Sequence, residues 1–497
     1  MSSSNLVRIG YKKETTYGVT PAAVQATLVS EDITFTAIKG GAYGNNFSVE
    51  KLDTAAAGAE VATITGNKIS ITIESGVSTA TQVSTALTAI LAQLTALGVS
   101  FAITGTAGDA QTAAAETNFT GGANGFKTAR FTSEQYSGTP ETTESAQIRT
   151  DRQSSGQVVT GLSVEGGHNF ELAKETAIED FLESAMFNTW ATTASVNETM
   201  SINATTKKLI RTTGSFVDEG VVVGDFIVLS NHSVAANNDI IMATAVSALE
   251  VTFAGPSTIT TAVAEPMTYQ VCDKLSIGTT KKSMTIEKTF LDLTDKAIIY
   301  RGCLVSQMSL NVEYGSLISG SFSTMGNDYD AVSAAADFAS YNEYFVDPAT
   351  TNTLNGSVDM PFLATNVTGT WAQDAFCLQN LNISLNNNLT VQNCIGRAAP
   401  EDYSPGTAQV TAELSSYLKD GNWGMLAKKL SQDPFSIGFM VGNTDGWYGF
   451  YMPAIQVSFD DPQSGGANQE ISMGMSGVAK VGSAGESALT IYRAPTV

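Results

Sequence analysis

Histidine and cysteine are scarce in this chain, and their scarcity removes most reaction chemistry. Only two histidines, His168 and His232, occur in 497 residues, and they fall in different predicted modules. Neither a His-centred triad nor a multi-histidine metal site is expected from them. The four cysteines, Cys272, Cys303, Cys377 and Cys394, lie far apart without Cys-x-x-Cys spacing, which argues against a zinc site or a redox pair. They read as small apolar core residues. Gly40-Gly41-Ala42-Tyr43-Gly44 lacks the spacing and the lysine of a phosphate-binding loop and reads as a turn. No catalytic, cofactor-binding or metal-ligating residue is therefore assigned.

Long apolar runs and basic residues are also lacking. No stretch approaches the roughly 18 apolar residues of a spanning helix, so no membrane partner is expected. Met1-Ser2-Ser3-Ser4-Asn5 is not a basic segment leading into an apolar one, so no secretory signal is expected either. The Asn-x-Ser/Thr matches at Asn118, Asn197, Asn203, Asn355, Asn366, Asn382 and Asn388 then read as chance in an Asn- and Thr-rich chain. Lysine and arginine total 26 against 48 acidic residues, a net charge of −22. Affinity for phosphate backbones comes from counterions released by cations, so conventional nucleic-acid binding is disfavoured. Two readings remain: an ordinary solvated acidic surface, or a surface that lets a polyanion pass without sticking.

What is present is small, polar and β-prone. Hydrophobic residues make up 43% and charged residues 15%, a globular balance, and the richness in Thr, Ser, Gly, Asn and Ala favours many short strands and turns. The length suggests about two to four cores. Residues 1–24 read as an N-terminal arm, either frayed or laid on a neighbouring subunit. Residues 25–125 read as an inserted α+β module, with alternating strands at 33–37 and 68–73 and helical spacing from Thr79 to Leu97, stopped by Gly98. Residues 126–196 hold the strand around Leu162 and Val164 and an amphipathic helix burying Ile178, Phe181, Leu182, Ala185 and Met186. Short strands between turns over 197–273 suggest a small inserted β-barrel. A hairpin follows in 274–326, a long connection in 327–375, and a last series of strands in 376–497.

The segment 126–326 and the segment 376–497 read as copies of one another. Phe131-Thr132 matches Ile383-Ser384 at an offset of 252, and Val159-Thr160 matches Val410-Thr411 at 251. Gln307-Met308-Ser309-Leu310 matches Gln456-Val457-Ser458-Phe459 at only 149. The inserted barrel occupies the place where the offset drops. Each half then reads strand, loop, strand, helix, strand, strand. The competing explanation is the weak strand-helix-strand similarity that any β-rich chain shows.

The runs Phe126 to Glu134, Gly138-Thr139-Pro140-Glu141-Thr142-Thr143-Glu144-Ser145, Arg149-Thr150-Asp151-Arg152 and Gly320-Ser321-Phe322-Ser323-Thr324-Met325-Gly326 resemble the tail tube proteins of long-tailed, siphovirus-like bacteriophages. Asn386-Asn387-Asn388-Leu389, Ser404-Pro405-Gly406 and Gly465-Gly466 fit the same pattern in the second half. The 25–125 segment, with Gly44-Asn45-Asn46 and Gly121-Gly122-Ala123-Asn124-Gly125, resembles small modules recurring in phage virion proteins. The resemblance implies a mainly β fold of two tandem sandwich or barrel halves, each with a flanking helix. It also implies rings that stack into a conduit for double-stranded DNA in the virion tail, made in the host cytoplasm. Its partners would be further copies of the chain, the tape measure protein and DNA in the lumen without tight binding, and tail terminator and distal tail proteins at the ends. A duplicated chain would close as a trimer with pseudo-sixfold symmetry; a hexamer is the alternative.

Polar strand positions Ser309, Asn311, Glu313, Ser458, Asp460, Ser472 and Ser476 are the candidates to face the lumen, an ordinary solvent face being the other reading. Leu162, Val164, Phe181, Val410 and Leu414 are the core positions on which ring formation should depend. The two modules are expected on the outer surface. The competing classes are a phage fibre or bacterial adhesin binding glycans, and a glycoside hydrolase built on carboxylates such as Glu31-Asp32 or Asp460-Asp461.

Overall fold

A computed structural model describes residues 6–148, 150–151, 153–154, 156–294, 296–332, 343, 345–349, 351–367, 369–374, 376–443, 445–459, 461–463 and 469–495. The chain is mainly β and divides into two compact units. Outside the inserted modules the strands are β1 (Val7–Lys13), β2 (Lys127–Ala129), β3 (Ser133–Glu134), β4 (Ser137–Glu144), β5 (Gln157–Glu171), β6 (Asp273–Ser276), β7 (Met284–Phe290), β8 (Ala297–Glu313) and β9 (Ser319–Gly326). The series continues with β10 (Asp328–Val332), β11 (Phe362–Asn366), β12 (Trp371–Gln373), β13 (Leu378–Asn386), β14 (Gln409–Tyr417), β15 (Phe435–Asn443), β16 (Gly446–Ser458), β17 (Ser472–Lys480) and β18 (Thr490–Arg493).

The first unit comprises Met1–Arg130, Ser283–Cys303 and Gly326–Pro348. Its sheet runs β2-β1-β7-β8-β10, with β1 paired along its whole length to β7, from Val7 opposite Phe290 to Lys13 opposite Met284. The segment expected as an arm therefore supplies a strand with neighbours on both sides. Ile9 and Tyr11 are fully buried on one face. Lys12 is buried too, its Nζ 2.5 Å from Glu343 and donating to the Pro21 carbonyl. Cations at alternate positions suggest a solvated segment; here burial is tolerated because the charge is paired.

The α+β module of this unit has a three-stranded sheet (Gln25–Ser30, Ile33–Gly40, Val99–Ile103) and a four-stranded one in the order Val61–Thr65, Lys68–Ile73, Ser48–Asp53, Ala114–Asn118. Its own core gathers Phe35, Phe47, Ile71, Leu87, Leu94 and Phe119. The helical stretch is two helices, α1 (Ala80–Ala89) and α2 (Leu91–Leu97), bent by 76° at Ile90. Thr79 and Gln82 form a capping box at the start, and Gly98 ends α2 at φ +91°, a left-handed conformation that glycine adopts without steric cost. No single helix among the described residues is long and apolar enough to cross a membrane.

The second unit comprises Phe131–Lys282, Leu304–Met325 and Ala349–Val497. Its barrel module closes in the order Val196–Asn203, Lys208–Arg211, Glu250–Ala254, Ile240–Val246, Phe226–Ser230, Ala262–Val271. The ends of the module meet, since the Ala191 N–H donates to the Lys274 carbonyl at 2.8 Å. The main sheet runs β3/β4-β5-β9-β8-β13-β14-β17-β16. From β16 it continues through β15 and β11 to β12 on one side, and through β18 to β6 on the other.

The duplication is visible in this order. In the first half, β3, β5, helix α3 (Thr176–Met186), β8 and β9 follow one another in sequence but pair as β3-β5-β9-β8; in the second, β13, β14, helix α4 (Met425–Ser431), β16 and β17 pair as β13-β14-β17-β16. The hairpin before the last strand repeats with the same bulge and a turn one residue longer in the second half. Met284 faces Cys303 and Ile286 faces Tyr300 across a bulge; Phe435 faces Ile455 and Ile437 faces Met452 across the same bulge. Cys303 thus aligns with Ile455, an offset of 152 (455 less 303), against the 149 of the sequence match. The match found the right strands and slipped within them by three residues, of which the bulge between Val305 and Gln307, without a counterpart in the β16–β17 pairing, accounts for one. The 327–375 segment is not merely a connection, for it holds β10, β11 and β12. Phe362-Leu363-Ala364 in β11 is buried on both faces and so lacks the alternation that marks a strand in sequence.

Behind the first half, α3 packs Phe181 on Phe322 (centroids 5.3 Å) and His168 (4.7 Å), and His168 Nδ1 lies 2.8 Å from the Tyr136 hydroxyl. Val164, Phe181, Val410 and Leu414 are buried as expected of core positions, whereas Leu162 is half-buried. Burial pushes the His168 pKa down to about 4. The unfolded chain therefore binds this proton more readily, and the stability tied to neutral His168 is present above about pH 6.5 and lost as the pH falls through about 4, to a limit of about 3 kcal/mol. His168→Gln should lose less stability than the wild type between pH 7 and pH 4.5 in thermal melts. Equal losses would show that His168 does not set this dependence.

Candidate functional site

The most regular surface of the second unit is one face of its main sheet. Rows of side chains cross five or six strands. One row reads Ser321, Ser309, Ser384, Thr411, Val478 and Gln456, and the next reads Ser319, Asn311, Asn382, Glu413, Ser476 and Ser458. The alternate positions Met308, Leu310, Leu381, Ile383, Val410, Leu414, Met473 and Met475 form the buried face. Alternation puts hydroxyl and amide groups on one side and the core on the other. The polar groups bond to one another: Ser309 Oγ lies 2.7 Å from Ser321 Oγ, Ser384 Oγ lies 2.6 Å from Thr411 Oγ1, and Asn380 Nδ2 donates to Asn311 Oδ1 at 3.0 Å. Short side chains held in this way make a low-relief surface. Glu313 and Glu413 are acidic members, and Lys480 is a basic one that strand alternation places on the same face.

Six of the seven residues singled out from sequence, Ser309, Asn311, Glu313, Ser458, Ser472 and Ser476, fall on this one face. Asp460 lies outside the described residues. Ser321, Asn382, Ser384, Thr411 and Gln456 belong to the same face and were missed. Alternation alone could have found them once the strands were paired.

The second feature is a pair of strand edges. Within the chain the halves join where β8 pairs with β13, from Gln307 opposite Asn386 to Glu313 opposite Asn380. This is the last strand in order of one half meeting the first of the next. The corresponding strands at the two ends of the sheet are β16 and β3/β4. In β16, Gln456–Ser458, which align with Leu304–Ser306 just ahead of the stretch of β8 that pairs with β13, pair with β17 on one edge and with no described strand on the other, beyond Ile455, the last partner of β15; the Val457 carbonyl accepts from Gln432. β4 pairs only with β5 among the described residues. Pro140 sits in β4, a residue confined to edge strands because it lacks the N–H that a central strand needs.

No group of three or more His, Cys, Asp or Glu that could hold a metal occurs among the described residues. The Glu31-Asp32 carboxylates are engaged structurally: Glu31 accepts from Lys51 and Thr112, and Asp32 from Gln111 and the Thr106 N–H.

The second unit thus presents a repeated strand order and a low-relief polar sheet face. The phage tail tube protein family model matches residues 4–479, and the chain belongs to that family. It is a structural component of a bacteriophage tail. No curated protein matches.

Proposed function

We propose that three copies close head to tail into a ring of six halves, and that rings stack into a tube whose lumen is lined by the polar sheet face. The carrying observation is that the two open edges are of the same kind as the two joined inside the chain, β8 with β13. A heterologous contact that repeats an internal one closes with pseudo-rotational symmetry, and edge strands are stable when paired. The neighbour's β3/β4 then lies beside the end of β16, which extends the Ser/Thr/Asn rows from copy to copy.

Such a lumen suits double-stranded DNA and a tape measure protein in transit. Its few cations release few counterions, so DNA is not held, and its hydroxyl groups remain wetted. Tail terminator and distal tail proteins would meet the exposed ends of the tube. Assembly would follow synthesis in the host cytoplasm.

Negative-stain microscopy with light scattering on the purified protein tests this reading. Rings with a trimer mass, stacking into tubes, are expected, with no measurable DNA affinity at low salt. Ser458→Pro, at the exposed end of β16, should leave a folded monomer that forms no rings. A wild-type protein that stays monomeric at high concentration would overturn the reading.

A further inference from the structure

Helices α3 and α4 occupy the same place in the two halves but differ in what covers them. Both end on a residue in the left-handed conformation, Phe187 at φ +49° and Gln432 at φ +56°. Aligning these caps gives an offset of 245 (432 less 187). The apolar stripe Ile178, Phe181, Leu182 and Ala185 of α3 then falls on Trp423, in the turn just ahead of α4, and on Leu426, Ala427 and Leu430 within α4. Every residue of α3 from Ala177 onward is buried. In the second half Trp423 is 60% and Leu430 86% exposed.

The difference lies partly in position along the sheet. Helix α3 stands at the internal joint: Ser184 Oγ accepts from the Val305 N–H of β8, and Asn387, just beyond β13, donates to the carbonyls of Ala185 and Val305 at 2.8 and 2.9 Å. Chain from the second half thus closes over the last turn of the first half's helix. Helix α4 stands beside the open edge. Gln432 donates to the Val457 carbonyl at 3.2 Å, and Val457 aligns with Val305 at the hairpin offset of 152. The same strand position is flanked by the same helix, but no counterpart of Asn387 covers it among the described residues.

We infer that the Trp423–Leu430 stripe is part of the joint between copies, covered in the ring by the first-half β3/β4 region of the next copy as Asn387 covers the end of α3. This rests on the proposed ring. A second copy is the occupant because the covering element inside the chain is the beginning of a half, and the first half of another copy begins with the corresponding β3/β4 region. Two large apolar side chains at the centre of such a joint are the kind of residue that dominates association.

The test compares wild type with the Trp423→Ser/Leu430→Ser double variant and adds hydroxyl-radical footprinting of Trp423 in wild-type monomer and ring. The expected result is protection of Trp423 in the ring, and a ring-forming concentration raised at least about hundredfold in the variant, whose monomer melts like the wild-type monomer. Both substitutions are on exposed positions, and the footprint on unaltered protein answers the question even if the variant misfolds. Rings in which Trp423 stays as reactive as in the monomer, or a variant that assembles like wild type, would overturn the α4 joint and leave the ring reading standing. Absence of wild-type rings would remove both.

Discussion

Replacing residues 197–272 by a short Gly-Ser link should give a protein that aggregates, although the ends of the excised barrel already meet. The barrel grows from the first half but packs against the second. Phe226, Met242 and Ala254 of the barrel share a core with Phe362, Ala364, Met440, Trp447, Tyr451 and Tyr492. Phe226 lies 5.0 Å from Tyr492 and 6.0 Å from Phe362 between ring centroids. The approach is close: a Cβ at Gly438 would stand 2.2 Å from Met242 Sδ, so any larger residue there must displace the Met242 side chain. The equivalent position in the first half, at an offset of 151, is Glu287, a charge where the second half has a bare backbone under the barrel. Removing the barrel would return five large side chains to water at about 1.5–3 kcal/mol each, about 10 kcal/mol in all and comparable to the whole stability of a domain. Soluble expression, dye binding to exposed apolar surface and gel filtration read the outcome. A soluble truncated chain with a sharp unfolding transition and no dye binding would show that the barrel is dispensable.

Arg493→Ala should be the most damaging single substitution away from the apolar core. Arg493 on β18 ion-pairs with Glu179 of α3 and, through Nε at 3.2 Å, with Asp273 of β6, while its guanidinium lies 4.5 Å from the centroid of Trp190. Lys174 also pairs with Glu179. Three distant stretches of sequence, the first half's helix, the strand leaving the barrel and the last strand of the second half, are thereby held together. Asp273 is fully buried and Glu179 nearly so. Removing the guanidinium deprives buried Asp273 of its ion pair and leaves Glu179 with Lys174 alone, a loss of about 3–5 kcal/mol. Arg493→Lys should recover part of it, because an ammonium keeps the charge but not the two-armed geometry. Denaturant midpoints with unchanged slope measure both, and a loss under about 1 kcal/mol for Arg493→Ala would refute the role assigned to the cluster.

The barrel's position also revises how the modules are viewed. Modules with their own texture suggest ornaments on a host, and the α+β module does carry a separate core around Phe35, Leu87 and Phe119. The barrel has a separate core as well, around Leu209, Ile241 and Tyr269, yet turns Phe226 and Met242 outward to seal another sheet. Hydropathy cannot distinguish a residue facing a module's own interior from one facing its neighbour.

Strand faces were legible because alternation has a period of two and needs no knowledge of the partner. Ser309, Asn311 and Glu313 could be separated from Met308, Leu310 and Val312 by counting. The stripe of α3 was legible for the same reason at the helical period. β1 was not, because Arg8 and Lys12 interrupt it and their burial depends on groups as distant as Glu287 and Glu343. β11 was not, because a strand buried on both faces carries no alternation.

The sequence by itself determined the β class, the alternation of small polar and apolar residues along its strands, and the family to which the chain belongs. These are properties of local spacing and composition. Only the tertiary structure decided that β8 joins β13, that β4 and the end of β16 have no second strand partner among the described residues, that Cys303 aligns with Ile455 rather than three residues earlier, and that α3 is covered while Trp423 and Leu430 beside α4 are exposed. Each of these depends on which strand lies beside which, and pairing between residues a hundred or more positions apart is set by the packing of the whole chain, of which no local stretch carries a record.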